Sequence, residues 1–291
     1  MTDLLLQFLI TGITVGSIYA LVGLGFSIIY NASDVVNFAQ GEFVMIGAIS
    51  AVSLSMTGVP LIPAIVLAII VSIFVGLMLY QFAIKPAKGA SVVTTIIITI
   101  GASIFLRGAA LLIWGKDFYS LPAFSGETPI HIGSATILPQ NLWVIGSTIV
   151  LVSAVLWFFN HTLLGKAVLA CSCNRDAAQL VGINVSKMLL LSYAISAVLG
   201  ALAGVLIVPV TFTSYDAGVM LGLKGFSAAI LGGIGNPVGA VVGGLLLGII
   251  ESLGAGYISS GYKDAIAFAI ILLVLFVRPS GLLGRRTQER V

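Results

Sequence analysis

Long apolar runs separated by short polar stretches set the pattern of this chain. A helix needs about 20 apolar residues to cross a bilayer. Candidate spans lie at Leu4–Tyr30, Val35–Met56, Pro60–Ile84, Ser91–Trp114, Leu142–Phe159, Met188–Val210, Pro237–Tyr257 and Asp264–Val277. A ninth apolar run, Leu221–Ile234, is shorter and rich in glycine, as a broken or half-length helix would be. Period-two alternation is absent over any useful length, which excludes a transmembrane barrel. The pattern predicts an all-α polytopic membrane protein, a bundle of about 8–10 transmembrane helices. Some of these should be short, broken or Gly-rich, within one transmembrane domain over residues 1–291.

Composition sharpens this picture. Apolar residues make up 59% of the 291 positions and charged residues 8%. Soluble domains run at about 45–50% and about 25% respectively, so this chain could not cover a water-facing surface. The 34 glycines favour close helix packing in lipid. Met1-Thr2-Asp3 supplies neither a positive leader nor a cleavage site, so the first apolar run is expected to remain as a span.

Orientation follows from the basic residues. Lys85 and Lys88 share one short loop, and Lys166, Arg175 and Lys187 share another. Arg278, Arg285, Arg286 and Arg290 form the tail over 278–291. These segments are expected to be cytoplasmic, whereas Lys116 and Lys263 fall in loops expected outside. Parity then places the N-terminus outside and the C-terminus inside, provided that Leu221–Ile234 crosses rather than re-enters. The external loop 115–140 carries three prolines, and the internal loop 160–187 is the most hydrophilic stretch.

Catalytic motifs are missing. The nearest approach to a nucleotide-binding GxxxxGK[ST] loop, Asn160–Ala167, lacks the first glycine and the final hydroxyl. This chain is therefore not expected to hydrolyse ATP or to act as an enzyme. No metal or cofactor set appears, and nothing points to nucleic acid. Cys171 and Cys173 sit too close in sequence for a good disulfide and have no zinc partners nearby, so they read as inert thiols.

Two sets of residues carry candidate function. In the internal loop, Asn174 suits a helix N-cap, Asp176 the first turn and Gly182 the stop. Between them Ala177, Leu180 and Val181 form a small apolar face, able to dock in a partner's groove or to pack on the bundle itself. Inside the spans, Asp34, Asn37, Gly41, Glu42 and Met45 recur at helical spacing with Gln40 alongside. Ionisable groups there cost about 2.5–3.5 kcal/mol each on insertion scales. They read either as a pathway lining or as a cluster fixing one helix on another. Arg107 and Glu251 are also buried by sequence and are candidates to pair. The break Gly232-Gly233-Ile234-Gly235-Asn236-Pro237 interrupts helix at membrane depth, which is tolerated where backbone lines a cavity or is buried in protein. Gly235, Gly239 and Gly243 make a small-residue stripe.

Four ordered blocks carry a family resemblance. They are GSIYALVGLGFSIIYNASDVVNFAQGEFVMIGA (Gly16–Ala48), KPAKGASVVTTIIITIGASIFLRG (Lys85–Gly108), GKAVLACSCNRDAAQLVGINVSKM (Gly165–Met188) and GLKGFSAAILGGIGNPVGAVVGGLLLGIIE (Gly222–Glu251). The chain resembles branched-chain amino acid ABC transporter permeases of the LivH type, although that family usually has His where Gln40 stands. The resemblance implies a cell-membrane importer of two permease subunits, usually different from one another. Two cytoplasmic ATPases that hold ATP and Mg2+, and an external solute-binding protein, complete it. It further implies that Asn174, Arg175, Asp176, Ala177, Leu180 and Gly182 belong to a coupling helix contacting an ATPase. The helices around Asp34, Asn37, Gln40 and Glu42, and around Gly232, Gly233 and Asn236, would shift to expose the pathway alternately to each side. Urea or short amides are the rival cargo. An ion-driven transporter using Asp34, Glu42 and Glu251 is the rival mechanism.

Overall fold

A computed structural model describes residues 2–126, 128–132 and 135–284. The arginines at 285, 286 and 290, expected in the cytoplasmic tail, lie outside the described residues. Eleven α-helices form among the described residues: α1 (Thr2–Ser33), α2 (Gln40–Met56), α3 (Leu61–Met78), α4 (Val92–Trp114), α5 (Pro139–His161), α6 (Leu163–Cys173), α7 (Arg175–Leu180), α8 (Val185–Ile207), α9 (Ala217–Gly232), α10 (Pro237–Tyr257) and α11 (Lys263–Val277). α3 runs on through a wider π-type segment, Leu79–Ile84. A short antiparallel pair, β1 (Ile130–Ile132) and β2 (Ala135–Ile137), decorates the loop before α5. Among the described residues seven helical spans are long and apolar enough to cross a membrane, while α2 and α9 fall just short at 17 and 16 residues.

Contacts between loops define two ends of the bundle. At one end, Gln7 at the start of α1 bonds Thr136, and Tyr119 pairs with Thr213 in the segment before α9. At the other, Gly235 after α9 abuts Tyr30 and Asn31 of α1, and Leu282 and Leu283 donate to the carbonyls of Leu231 and Gly232. α9 therefore runs from one end to the other as a single short leg and does not fold back as a hairpin. Its 16 residues rise about 24 Å.

Glycine sets how closely the central helices approach. α1 and α10 run antiparallel, and a Cβ on Gly12 or Gly16 would meet backbone of Ile249 or Leu245 within 3 Å. The two helical members of the expected glycine stripe share one neighbour, and the adjacent glycines serve another. Gly239 and Gly243 face α9, while Gly244 and Gly248 face α1. Gly235 stands outside the helix altogether, in the turn before it, with φ +84.

The second span begins five residues later than its apolar run suggests. Ser33 Oγ lies 3.2 Å from the Val35 amide, Asp34 sits at φ +53, and the Asn37 side chain accepts from the Ala39 amide. Short polar side chains bonding nearby backbone compete with helix. The result is a non-helical turn over 34–39 that re-enters the bundle. Gln40 consequently packs on Gly25, eight residues back from the end of α1, or about 12 Å along that helix.

Candidate functional site

The return of the chain at 34–39 brings Glu42 to the floor of a cavity of about 130 Å³ between α1, α2, α4 and α9. Phe26, Phe38 and Phe226 wall one side, with ring centroids 5.3 Å apart for Phe38–Phe226 and 5.7 Å for Phe26–Phe226. Ile100, Leu223 and Val219 form the rest of the apolar wall. Small residues make the space, since Gly218 and Gly222 of α9 lie directly against Gly41.

Polar chemistry in this cavity comes from three side chains. Glu42 is 1% exposed and its Oε1 accepts from Ser103 Oγ at 2.7 Å. Arg107, one turn further along α4, places Nε 3.5 Å from the same oxygen, with 31% of its side chain exposed. Among the described residues neither Glu42 Oε2 nor Arg107 Nε has a hydrogen-bond partner, although both atoms are buried. A larger apolar cleft of about 690 Å³ between α5 and α8 has no charged residue in its lining, so the ionic chemistry belongs to the smaller space.

The other polar residues of the N-terminal set do not join Glu42. Gln40 is fully buried and clamps helices together: its Nε2 donates to the Ser196 carbonyl at 3.3 Å, and Ser196 Oγ lies 2.6 Å from its Oε1. Asn37 is buried in the turn. Asp34 faces outward and bonds Arg175 at 2.7 Å. A shared helical face for Asp34, Asn37 and Glu42 therefore does not form, because the helix starts only at Gln40. Gly232, Gly233 and Asn236 also stand away from the cavity. Asn236 caps α10 by accepting from the Gly239 amide and donates to the Leu283 carbonyl at 2.8 Å. The break is thus filled by residues 280–284, with Gly233 at φ +104 against Gly284.

Arg175 links the turn 34–39 to α7 through Asp34. The Asn174 side chain accepts from the Ala177 amide at 2.9 Å, Asp176 occupies the first turn, and Gly182 ends the segment at φ +88. Ala178 is buried and anchors the helix. Leu180 and Val181 project outward, 89% and 76% exposed, and Ala177 is exposed with them. Among the described residues, nothing of the bundle packs on this apolar face. Nearby, burial pushes the Cys171 thiol up against the opposing pull of Arg175, which keeps it protonated and a poor nucleophile. Both cysteines are free.

Arg107 and Glu251 do not pair. Glu251 instead bonds Lys224 Nζ at 2.7 Å and receives the Tyr19 hydroxyl at 2.9 Å. Lys224 also lies 2.6 Å from Asp264, and Lys263 approaches Glu251 at 3.8 Å. Sequence reasoning overlooked Lys224 and Ser103. A lone lysine within the run 217–232 was the available signal for the first. The four-residue spacing to Arg107 was the signal for the second.

Comparison with known proteins bears on the whole chain. The family model described as the permease component of the branched-chain amino acid transport system matches residues 8–275. The high-affinity branched-chain amino acid transport system permease protein LivH of Escherichia coli is 36% identical, covering 98% of this chain and 97% of its own. BraD, the corresponding permease of Pseudomonas aeruginosa, is 35% identical over 98% of each chain. The ribose import permease RbsC of Escherichia coli is 25% identical over 90% of this chain and 82% of its own.

Proposed function

This chain belongs to the branched-chain amino acid transport permease family, and from that premise we propose that it forms half the translocation pathway of an ATP-driven importer. The cargo is a branched-chain, hydrophobic amino acid, as in the names of its relatives LivH and BraD. The chain is a multi-pass membrane subunit of the inner membrane. Its companions are a second, different permease, two cytoplasmic ATPases that bind ATP and Mg2+, and an external solute-binding protein.

The observation that carries the reading is the exposed apolar face of α7. Leu180 closes a capped helix and Val181 follows it, yet among the described residues neither is covered. Burying a leucine side chain is worth about 1.5–3 kcal/mol, so such a face favours a partner groove. The end of the bundle that carries α7 also collects Lys85, Lys88, Lys166, Lys187 and Arg278. Basic residues favour the cytoplasmic side, which supports a cytoplasmic C-terminus and an ATPase as the occupant. Reconstitution tests this directly: uptake of leucine into liposomes is expected only with all partners and ATP. Uptake by this chain alone would refute the assignment.

The route from ATPase to pathway is short. Closure of the ATPases presses on α7, Arg175 passes the movement to Asp34, and the turn 34–39 leads within eight residues to Glu42. The pair is half-exposed, so its own contribution to stability is small, about 0.2–1 kcal/mol. Its value lies in connection. Arg175→Glu is expected to lower uptake several-fold with normal assembly, and Asp34→Arg combined with Arg175→Glu to restore much of it. A charge-reversed pair that fails to recover uptake would argue against this link.

A further inference from the structure

We propose that the cavity bounded by Glu42, Ser103 and Arg107 is a transit site for the α-amino-acid zwitterion, with Arg107 taking the carboxylate and Glu42 Oε2 the ammonium. This rests on the amino-acid permease reading and assigns a binding site within it.

The geometry is that of an unfinished ion pair. Glu42 is almost wholly enclosed, yet one of its oxygens has no partner. Arg107 stands 3.5 Å from the other oxygen without a directed hydrogen bond, and its own Nε is unpaired. A buried polar atom left unpaired is costly, and burying the Glu42 carboxylate adds its desolvation. A pair whose role was to hold α2 to α4 would close this gap. An α-amino acid meets both demands at once, because it brings a planar carboxylate suited to the guanidinium fork and an ammonium beside it.

The rest of the cavity fits the same class of ligand. Phe26, Phe38 and Phe226 with Leu223 offer an apolar wall for a branched side chain, and the volume suits a small solute. Ile100 and Leu223 are both 42% exposed, so the space opens between α4 and α9. Arg107 lines the same cavity and is partly exposed. A site on a pathway must hold its cargo loosely enough to release it, and one fork plus one carboxylate oxygen is a modest hold.

Binding of L-[14C]leucine to the assembled, nucleotide-free importer without its solute-binding protein tests the proposal, by equilibrium dialysis up to millimolar ligand. Wild type is expected to be displaced by valine and isoleucine. Leucinol, which lacks the carboxylate, and 4-methylpentanoate, which lacks the ammonium, should not displace. Arg107→Ala should weaken leucine binding at least tenfold and lose discrimination against leucinol. Glu42→Gln should do the same for 4-methylpentanoate, and lower uptake. Arg107→Lys, which keeps charge but loses the fork, should fall between. Co-purification of the ATPases reports that each variant has assembled. Unchanged leucine binding in both Arg107→Ala and Glu42→Gln, or no leucine binding by wild type, overturns the site while leaving import intact. Failure of the complete wild-type importer to take up any amino acid would instead strike the underlying function.

Discussion

Leu180→Asp should reduce ATP-driven uptake at least tenfold while the chain still inserts and pairs with its partner permease. The side chain is 89% exposed in the isolated chain, so the substitution removes little from the subunit's own fold; surface changes of this kind usually stay within about 0.5 kcal/mol. At an ATPase groove the sums are different. Losing the buried leucine costs about 1.5–3 kcal/mol, and each 1.4 kcal/mol is about tenfold in affinity. A carboxylate forced into the same groove adds its desolvation. Co-purification of the ATPase with the variant should fall in parallel with uptake. Full uptake with Asp at 180 would mean that α7 touches no ATPase.

Lys224→Met is expected to destabilise the subunit by about 3–5 kcal/mol, because it strands a buried carboxylate. Glu251 would keep only the Tyr19 hydroxyl and Lys263, whose ammonium is 3.8 Å away and half-exposed. Asp264 would also lose its partner, and although a third of its side chain is exposed, the oxygen facing Lys224 is buried. The expected readouts are a lower melting temperature in mild detergent and poor recovery from membranes. The double substitution Lys224→Met with Glu251→Leu should recover most of the loss, since apolar replacement of a whole buried pair is often neutral or better. If the single variant melts with wild type, the cluster contributes nothing to holding α9, α10 and α11 together.

Much of this architecture was legible because lipid leaves the sequence few choices. A span needs a long apolar run, and Pro237–Tyr257 appears in the structure with the bounds the run predicts. Capping was also readable: Asn174, Asp176 and Gly182 each do in α7 what their chemistry favours. The site was only partly readable. Glu42 stood out as a carboxylate inside a span, but Asp34 and Asn37 shared its helical spacing and seemed to share its face. Spacing could not reveal that Ser33, Asp34 and Asn37 would spend their polar groups on local backbone and delay the helix. Pairing across the bundle was beyond reach as well. The sequence offered Glu251 as a partner for Arg107, and only the packing of α4 on α2 brings it to Glu42 instead.

The glycine seam between the first and tenth helices has a consequence for biosynthesis. Tyr19 and its acceptor Glu251 are 232 residues apart, which at ribosomal speeds of about 5–20 residues per second is an interval on the order of 10–50 s. Throughout that interval the Gly12 and Gly16 face of α1 lacks the helix it meets in the finished fold. Its mate is among the last segments made, so a chain cut short before it leaves that one face bare, although α8 and α9 can still cover other faces of α1.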